Sequence, residues 1–309
     1  MILNTGQRTD IPAFYSEWFF NRIKEGFVWV RNPYDPQRVT EYRLDPELID
    51  VIVFCTKDPG PMLDRLDELK GFRLFWHVTI TPYGKEIEPN VPEKSLVLER
   101  FRKLSALVGP EAVTWRYDPI FINERYTVES HLKNFERMCS ELKGYTGKVV
   151  ISFIDLYAKT KKNFPEVREV TEEERRILGR EIARIASACS MKVYTCHEGN
   201  DMKEFGIDTN GCMTRTVIEQ SLGITLENLP NIKLRENCSC LIGNDIGAYN
   251  TCLHGCRYCY ANYDMEIVRR NAGAHDPESP LLIGHLQKED HLYKAAQRSN
   301  LSDLIGLGI

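Results

Sequence analysis

Three cysteines fall within the run Tyr249-Asn250-Thr251-Cys252-Leu253-His254-Gly255-Cys256-Arg257-Tyr258-Cys259-Tyr260-Ala261, at Cys-xxx-Cys-xx-Cys spacing. Three thiolates on one short loop can hold three irons of a 4Fe-4S cube, leaving the fourth iron open to a substrate or cofactor. An open iron implies chemistry rather than electron storage alone. With His254 between them, the same cysteines also make a Cys3His zinc donor set. Zinc sites, however, usually arrive as two separated Cys-xx-Cys pairs, whereas this spacing is asymmetric and flanked by aromatics.

The chain has ten cysteines, seven of them between Cys196 and Cys259, and that concentration points to metal ligation. Cys196, Cys212, Cys238 and Cys240 are enough to saturate a second 4Fe-4S cluster or a zinc ion, or are unrelated thiols. Cys55 ends an apolar strand-like run, and Cys139 and Cys189 lie in helical patterns, so these three read as buried, inert thiols. Residues 1–10 show no basic segment followed by an apolar one, which argues against an oxidising compartment and a disulfide framework. The expectation is a cytoplasmic protein.

These cysteines must be positioned by the elements before them. Apolar runs at 2–4, 51–55, 74–80, 113–116, 149–154 and 192–196 predict strands. Amphipathic segments at 13–24, 61–70, 93–107, 128–142 and 172–189 predict helices, and Thr171 ahead of three glutamates is a capping-box start. Alternation of this kind means a parallel sheet with crossover helices. Apolar runs at 27–30 and 39–44 around Asn32-Pro33-Tyr34-Asp35-Pro36 predict an appended hairpin within 27–44. In a parallel barrel the C-terminal strand ends build the active site, so Arg8, Asp10, Lys57, Asp58, Thr79, Thr81, Arg116, Asp118, Ser152, Asp155, His197 and Glu198 should converge on one mouth. Arg116 and Asp118 lead as catalytic candidates, with Asp155 and Glu198, because arginine can clamp a carboxylate or phosphate bidentately.

The cysteine loop resembles the signature of radical S-adenosylmethionine (SAM) enzymes, and its flanking residues are similar to the spore photoproduct lyase-like branch. The words Arg8-Thr9-Asp10-Ile11-Pro12-Ala13-Phe14-Tyr15, Thr56-Lys57-Asp58-Pro59, Thr79-Ile80-Thr81-Pro82-Tyr83-Gly84, Trp115-Arg116-Tyr117-Asp118-Pro119-Ile120 and Asp245-Ile246-Gly247-Ala248-Tyr249-Asn250 extend the resemblance over most of the chain. They are similar to a family of uncharacterised bacterial proteins with a radical-SAM-like cysteine cluster near the C-terminal end. The resemblance implies a 4Fe-4S cluster on Cys252, Cys256 and Cys259, with SAM on the open iron. It implies adenine packing by Tyr258 and, since no Gly-Gly-Glu word is present, further SAM contacts from Arg8, Thr9 and Asp10. The implied fold is α/β, a partial (β/α)6 TIM-type barrel. Its cluster loop follows some 250 residues of strand–helix units instead of the first strand, so the expected barrel is circularly permuted. A complete barrel with a small iron–sulfur tail domain is the alternative. The expected organisation is barrel units over 1–198 and a cysteine-rich segment over 199–309 that closes the barrel.

A length of 309 residues with 42% apolar content supplies ample core, and no apolar run approaches the roughly 20 residues of a membrane span. A net charge of −4 gives no bulk attraction to nucleic acid or an anionic membrane. The functional expectation is a radical SAM enzyme that abstracts hydrogen from a small-molecule or nucleic-acid-derived substrate, reduced by a protein such as flavodoxin or ferredoxin. Two alternatives stand beside it: a non-catalytic iron–sulfur or zinc protein with a structural, sensing or electron-transfer role, and a barrel hydrolase using Asp118, Asp155 and Glu198.

Overall fold

The computed structural model describes residues 1–302 apart from 157, 197, 228, 230–238 and 242. The expected Cys238 and His197 roles therefore lie outside the described residues. The fold is α/β, with a seven-stranded sheet in which every neighbouring pair is parallel. Its strands are β1 (Ile2–Asn4), β4 (Val51–Thr56), β5 (Leu74–Thr79), β6 (Val113–Ile120), β7 (Lys148–Phe153), β8 (Lys192–Thr195) and β9 (Asn244–Asp245). A second sheet holds β2 (Phe27–Arg31), β3 (Arg38–Arg43) and β10 (His291–Lys294); β2 and β3 form the predicted hairpin, and β10 joins β3 in parallel.

The spatial order is β8-β7-β6-β5-β4-β1-β9. Six of these strands match the apolar runs read from the sequence, and β9 is the addition. It pairs with β1 through Leu3↔Asn244 and Asn4↔Asp245. The strands β8 and β9 are edges, and no closed barrel forms among the described residues.

Strands in this sheet are buried on both faces, which explains their unbroken apolar runs. One face carries Ile52, Phe54, Trp76, Val78, Trp115 and Ile151, and packs on apolar residues of the helices Ser16–Glu25, Lys94–Val108, Val128–Leu142 and Glu172–Ala188. The other carries Val51, Val53, Phe75, Val150 and Tyr194 and is covered by Val217, Ile218, Ile224 and Leu226, in and just after the helix Arg215–Leu222.

Two helix expectations need correction. The first predicted helix is two, Ile11–Phe14 and Ser16–Glu25, because Asp10 caps a short turn and Tyr15 leaves helical geometry at φ −133°. The segment Gly60–Leu69 is a 3-10 helix, starting at Gly60-Pro61, where proline supplies no N–H. The capping box at Thr171 and Glu174 is present as expected.

Candidate functional site

Because the strands run parallel, their C-terminal ends share one edge, and that edge collects most of the residues singled out from the sequence. The cysteine loop leaves β9 at this edge. Its backbone is held from two sides. Asn90 donates from its backbone to His254 O (3.1 Å) and from its side chain to Leu253 O (2.8 Å), and Arg257 N donates to Ile87 O (3.0 Å). From the other side Tyr15 OH donates to Thr251 O (2.6 Å), and His254 Nε2 lies 2.9 Å from Asp10 Oδ2. Gly255 sits at φ +69°, the left-handed region that favours glycine, and a Cβ there would lie 3.2 Å from Pro89.

Cys252, Cys256 and Cys259 are half-buried. Burial pushes the Cys252 thiol well up, and the charges of Asp10, Cys259 and Cys256 add to it, so the three sulfurs are electrostatic neighbours. Burial also raises Cys256, opposed by the nearby Lys57 ammonium. Among the described residues no three His, Cys, Asp or Glu side chains converge on one point as ligands of a single ion would.

Beside the loop lies a buried knot that the sequence reading missed. Glu88 is 1% exposed and accepts hydrogen bonds from Lys57 Nζ (2.7 Å), Thr81 Oγ1 (2.8 Å), Lys94 Nζ and Tyr258 OH. Burial opposes its ionisation, but the Lys57 and Lys94 ammoniums outweigh that and hold it down to about 2. Tyr258 is thus fastened by its hydroxyl, and its ring packs edge-on against Tyr83 at 5.9 Å. The only local sign of this knot is the polar stretch Lys85-Glu86-Ile87-Glu88 after a strand-end word, with no spacing that ties it to the cysteines.

The expected SAM contacts are committed to protein partners. Arg8 Nε donates to Asp245 Oδ1 (2.9 Å), and Asp10 caps its helix through Ala13 N while accepting from Lys57 N (2.8 Å). Thr9 differs: its buried hydroxyl has no hydrogen-bond partner among the described residues. Two more such atoms are His254 Nδ1, within the loop, and Asn262 Oδ1, just after it.

Of the catalytic candidates, Arg116 Nε donates to Asp118 Oδ2 (3.0 Å), and Asp118 also takes the Ser152 hydroxyl. Glu198 accepts from Phe153 N (2.7 Å) and pairs with Arg175. Burial nevertheless pushes its carboxyl up to about 7, with Asp118 and Asp155 adding to the shift, so it can exchange a proton near neutrality. Asp155 itself is exposed. Asp58 turns to Arg100 (2.6 Å) and to Gly60 N (2.9 Å), a structural role.

Of the second set, the Cys212 and Cys240 sulfurs lie 3.9 Å apart, with Cys196 in electrostatic reach of Cys212. Cys55, read from sequence as an inert core thiol, lies within electrostatic reach of Arg116, Asp245, Asp10 and Cys196, while burial pushes it up to about 12. Cys139 is fully buried, with its thiol directed toward Ile185 O and Met191, remote in role from the mouth.

No helix among the described residues is long and apolar enough to cross a membrane. No curated protein matches the chain. A family of unknown function does match, over residues 2–261, from the first residue of β1 to just beyond Cys259. With 260 of 309 residues covered, the chain belongs to the family described as a domain of unknown function, DUF1848.

Proposed function

We propose that this chain is a cytoplasmic radical SAM enzyme on a circularly permuted, partial (β/α)6 barrel. One observation carries the reading: the Cys252/Cys256/Cys259 loop follows an edge strand, β9, that pairs in parallel with β1. Read in space from β9, the order β9-β1-β4-β5-β6-β7-β8 starts with the cysteine-bearing unit, although that unit comes last in sequence. A strand late in the chain that pairs in parallel with the first strand is what a permuted barrel requires.

The donor chemistry suits a 4Fe-4S cluster: three soft thiols at Cys-xxx-Cys-xx-Cys spacing on a loop braced from both sides. Cys252, Cys256 and Cys259 would hold it. A reduced cluster of this kind, with SAM on its open iron, supplies a 5′-deoxyadenosyl radical for hydrogen abstraction. The chain's own part is positional. The Glu88 knot fixes Tyr258 and Lys57 beside the loop, Thr9 offers a free hydroxyl, and Arg116 with Asp118 orients a polar group at the mouth. Glu198 holds or releases a proton near neutral pH. The substrate class is a small polar or nucleic-acid-derived molecule, and the electron donor a protein such as flavodoxin or ferredoxin.

The deciding assay is 5′-deoxyadenosine release from SAM by anaerobically reconstituted protein under dithionite, beside a Cys252/Cys256/Cys259→Ala variant. Release by wild type alone is expected. Intact SAM with full iron and sulfide loading would instead favour a binding or electron-transfer protein. That second reading draws on the pairing of Arg8, Lys57, Arg116 and Arg175 with carboxylates of the chain itself. Activity that survives loss of all three cysteines would point to a hydrolase using Asp118, Asp155 and Glu198.

A further inference from the structure

Two thiols distant in sequence meet on the side of the sheet covered by the helix Arg215–Leu222. The Cys212 and Cys240 sulfurs lie 3.9 Å apart across a separation of 28 residues. Backbone bonds fix the segments that carry them. Thr214 and Cys240 form an antiparallel bridge, Leu241 N donates to Met213 O (2.8 Å), and Ser239 N donates to Asn210 O (3.0 Å). Each cysteine is thus held by hydrogen-bonded backbone on either side.

Bonded sulfurs sit about 2.05 Å apart, so joining this pair asks for a movement of about 2 Å. Rotation about the two side chains with a slight backbone shift supplies a step of that size. Gly211 keeps the Cys240 sulfur uncrowded: its φ is +128°, and a Cβ there would come within 2.7 Å of Cys240 Sγ.

Each sulfur also receives an N–H. Arg116 Nη1 donates to Cys212 (3.4 Å) and Met213 N to Cys240 (3.3 Å). A thiol is a weak acceptor, whereas a cation or N–H donor beside sulfur favours the thiolate, the form that attacks a disulfide. The contact with Cys196 also lowers Cys212, but the Cys240 thiol and burial prevail and push it up to about 12. Cys212 therefore rests as a thiol, only 7% exposed, while Cys240 is half-buried. The more accessible Cys240 is the one to meet an outside disulfide, and Cys212 is placed behind it to resolve the product.

Two sulfurs fall short of a closed metal site but are all that a dithiol–disulfide couple needs. We propose that Cys212 and Cys240 are a redox-active dithiol that exchanges with low-molecular-weight disulfides and closes to an intrachain Cys212–Cys240 disulfide. The Cys240 thiolate attacks one sulfur of the small disulfide, forming a mixed disulfide and releasing the first small thiolate. Cys212 then gives up its proton and attacks the Cys240 sulfur, which breaks the mixed disulfide and releases the second small thiolate. Both protein protons end on the released thiols, so the dithiol is oxidised by the electron pair that reduces the small disulfide. Exchangeable disulfides of this kind occur where thiols are otherwise kept reduced. Arg116, with Nη1 on Cys212 and Nε on Asp118, places the couple one side chain from the mouth. The couple needs neither SAM nor the loop cysteines, so it stands or falls separately from the enzyme reading.

The test uses the full chain carrying Cys252, Cys256 and Cys259→Ala, treated with chelator and desalted, so that loop thiols and metal do not compete. It is equilibrated anaerobically with glutathione and glutathione disulfide in varied ratio, then acid-quenched, alkylated and mapped by peptide mass spectrometry. The expected result is loss of about two thiols per chain, a linked Cys212–Cys240 peptide, and recovery of both thiols as the glutathione share is raised. Adding Cys212→Ser should block the linkage and leave glutathione on Cys240, Cys240→Ser should block linkage and adduct alike, and Cys139→Ser should change neither. Circular dichroism verifies that each variant folds, and the linked peptide is sought in wild type as well, which needs no substitution. A chain that keeps both thiols at every ratio overturns the proposal, as does linkage of Cys212 to another cysteine in place of Cys240. 5′-Deoxyadenosine release by wild type is scored separately and answers only the enzyme question.

Discussion

Replacing Glu88 by glutamine should reveal how much of the mouth rests on one carboxylate. Glutamine keeps the volume and one acceptor oxygen, so Thr81 and Tyr258 can still be bonded, but Lys57 and Lys94 lose their counter-charge. Those ammoniums are on side chains only 13% and 19% exposed, and Glu88 itself is 1% exposed. Removing one member of a buried ion pair typically costs about 3–5 kcal/mol. The proton linkage gives a similar figure. A carboxyl held at about 2 in the fold against an ordinary 4.5 contributes on the order of 3 kcal/mol at neutral pH. Its folded-state pKa is depressed, so this stability is fully present above pH 4.5 and fades as pH falls toward 2. Urea denaturation of metal-free wild type and Glu88→Gln should therefore differ by roughly 3 kcal/mol at pH 7, with the gap narrowing as pH falls below about 4.5. A difference under about 0.5 kcal/mol at pH 7, or one that does not change with pH down to the acid limit of folding, would refute the reasoning.

Two further outcomes follow from geometry. Gly255→Ala should destabilise the metal-free chain by about 1 kcal/mol or more, from the left-handed backbone and the crowding of Pro89, and should lower iron retention at the loop in a desalting assay. Cys139→Ala removes a fully buried sulfur from the helix side of the core, so thermal unfolding should show a loss of about 1–2 kcal/mol while metal content stays at wild-type level.

Legibility in the sequence followed the range of the forces involved. The strands β1, β4, β5, β7 and β8 were readable almost residue by residue, because burial on both faces leaves a continuous apolar run. β6 was placed but cut short, since Asp118-Pro119 looks like a strand end and yet the strand runs to Ile120. β9 could not be read at all: Asn244 and Asp245 are two polar residues, and only the waiting edge of β1 makes them a strand. The mouth candidates were legible as strand-end polar residues, and Arg116 and Asp118 do pair there, with Glu198 in electrostatic reach of Asp118. Their partners were not. The ties of Glu88 to Lys57 and Tyr258 span 31 and 170 residues, and no local pattern encodes such contacts. Asp58 and Arg8 illustrate the opposite case, where a charged strand-end residue serves an internal ion pair.

The pairing of β9 with β1 also sets an order of events during synthesis. β1 is made well before its partner, which emerges about 240 residues later, and at some 5–20 residues per second that is a delay of roughly 12–50 seconds. Throughout that interval one side of β1 has no strand beside it, a parallel edge of the kind that invites pairing with another chain. The same delay means that the three loop cysteines leave the ribosome after the Asp10, Tyr15 and Asn90 groups that will brace them. Their cradle can therefore be folded before the thiols arrive, which shortens the time that reactive sulfur spends unprotected on a growing chain.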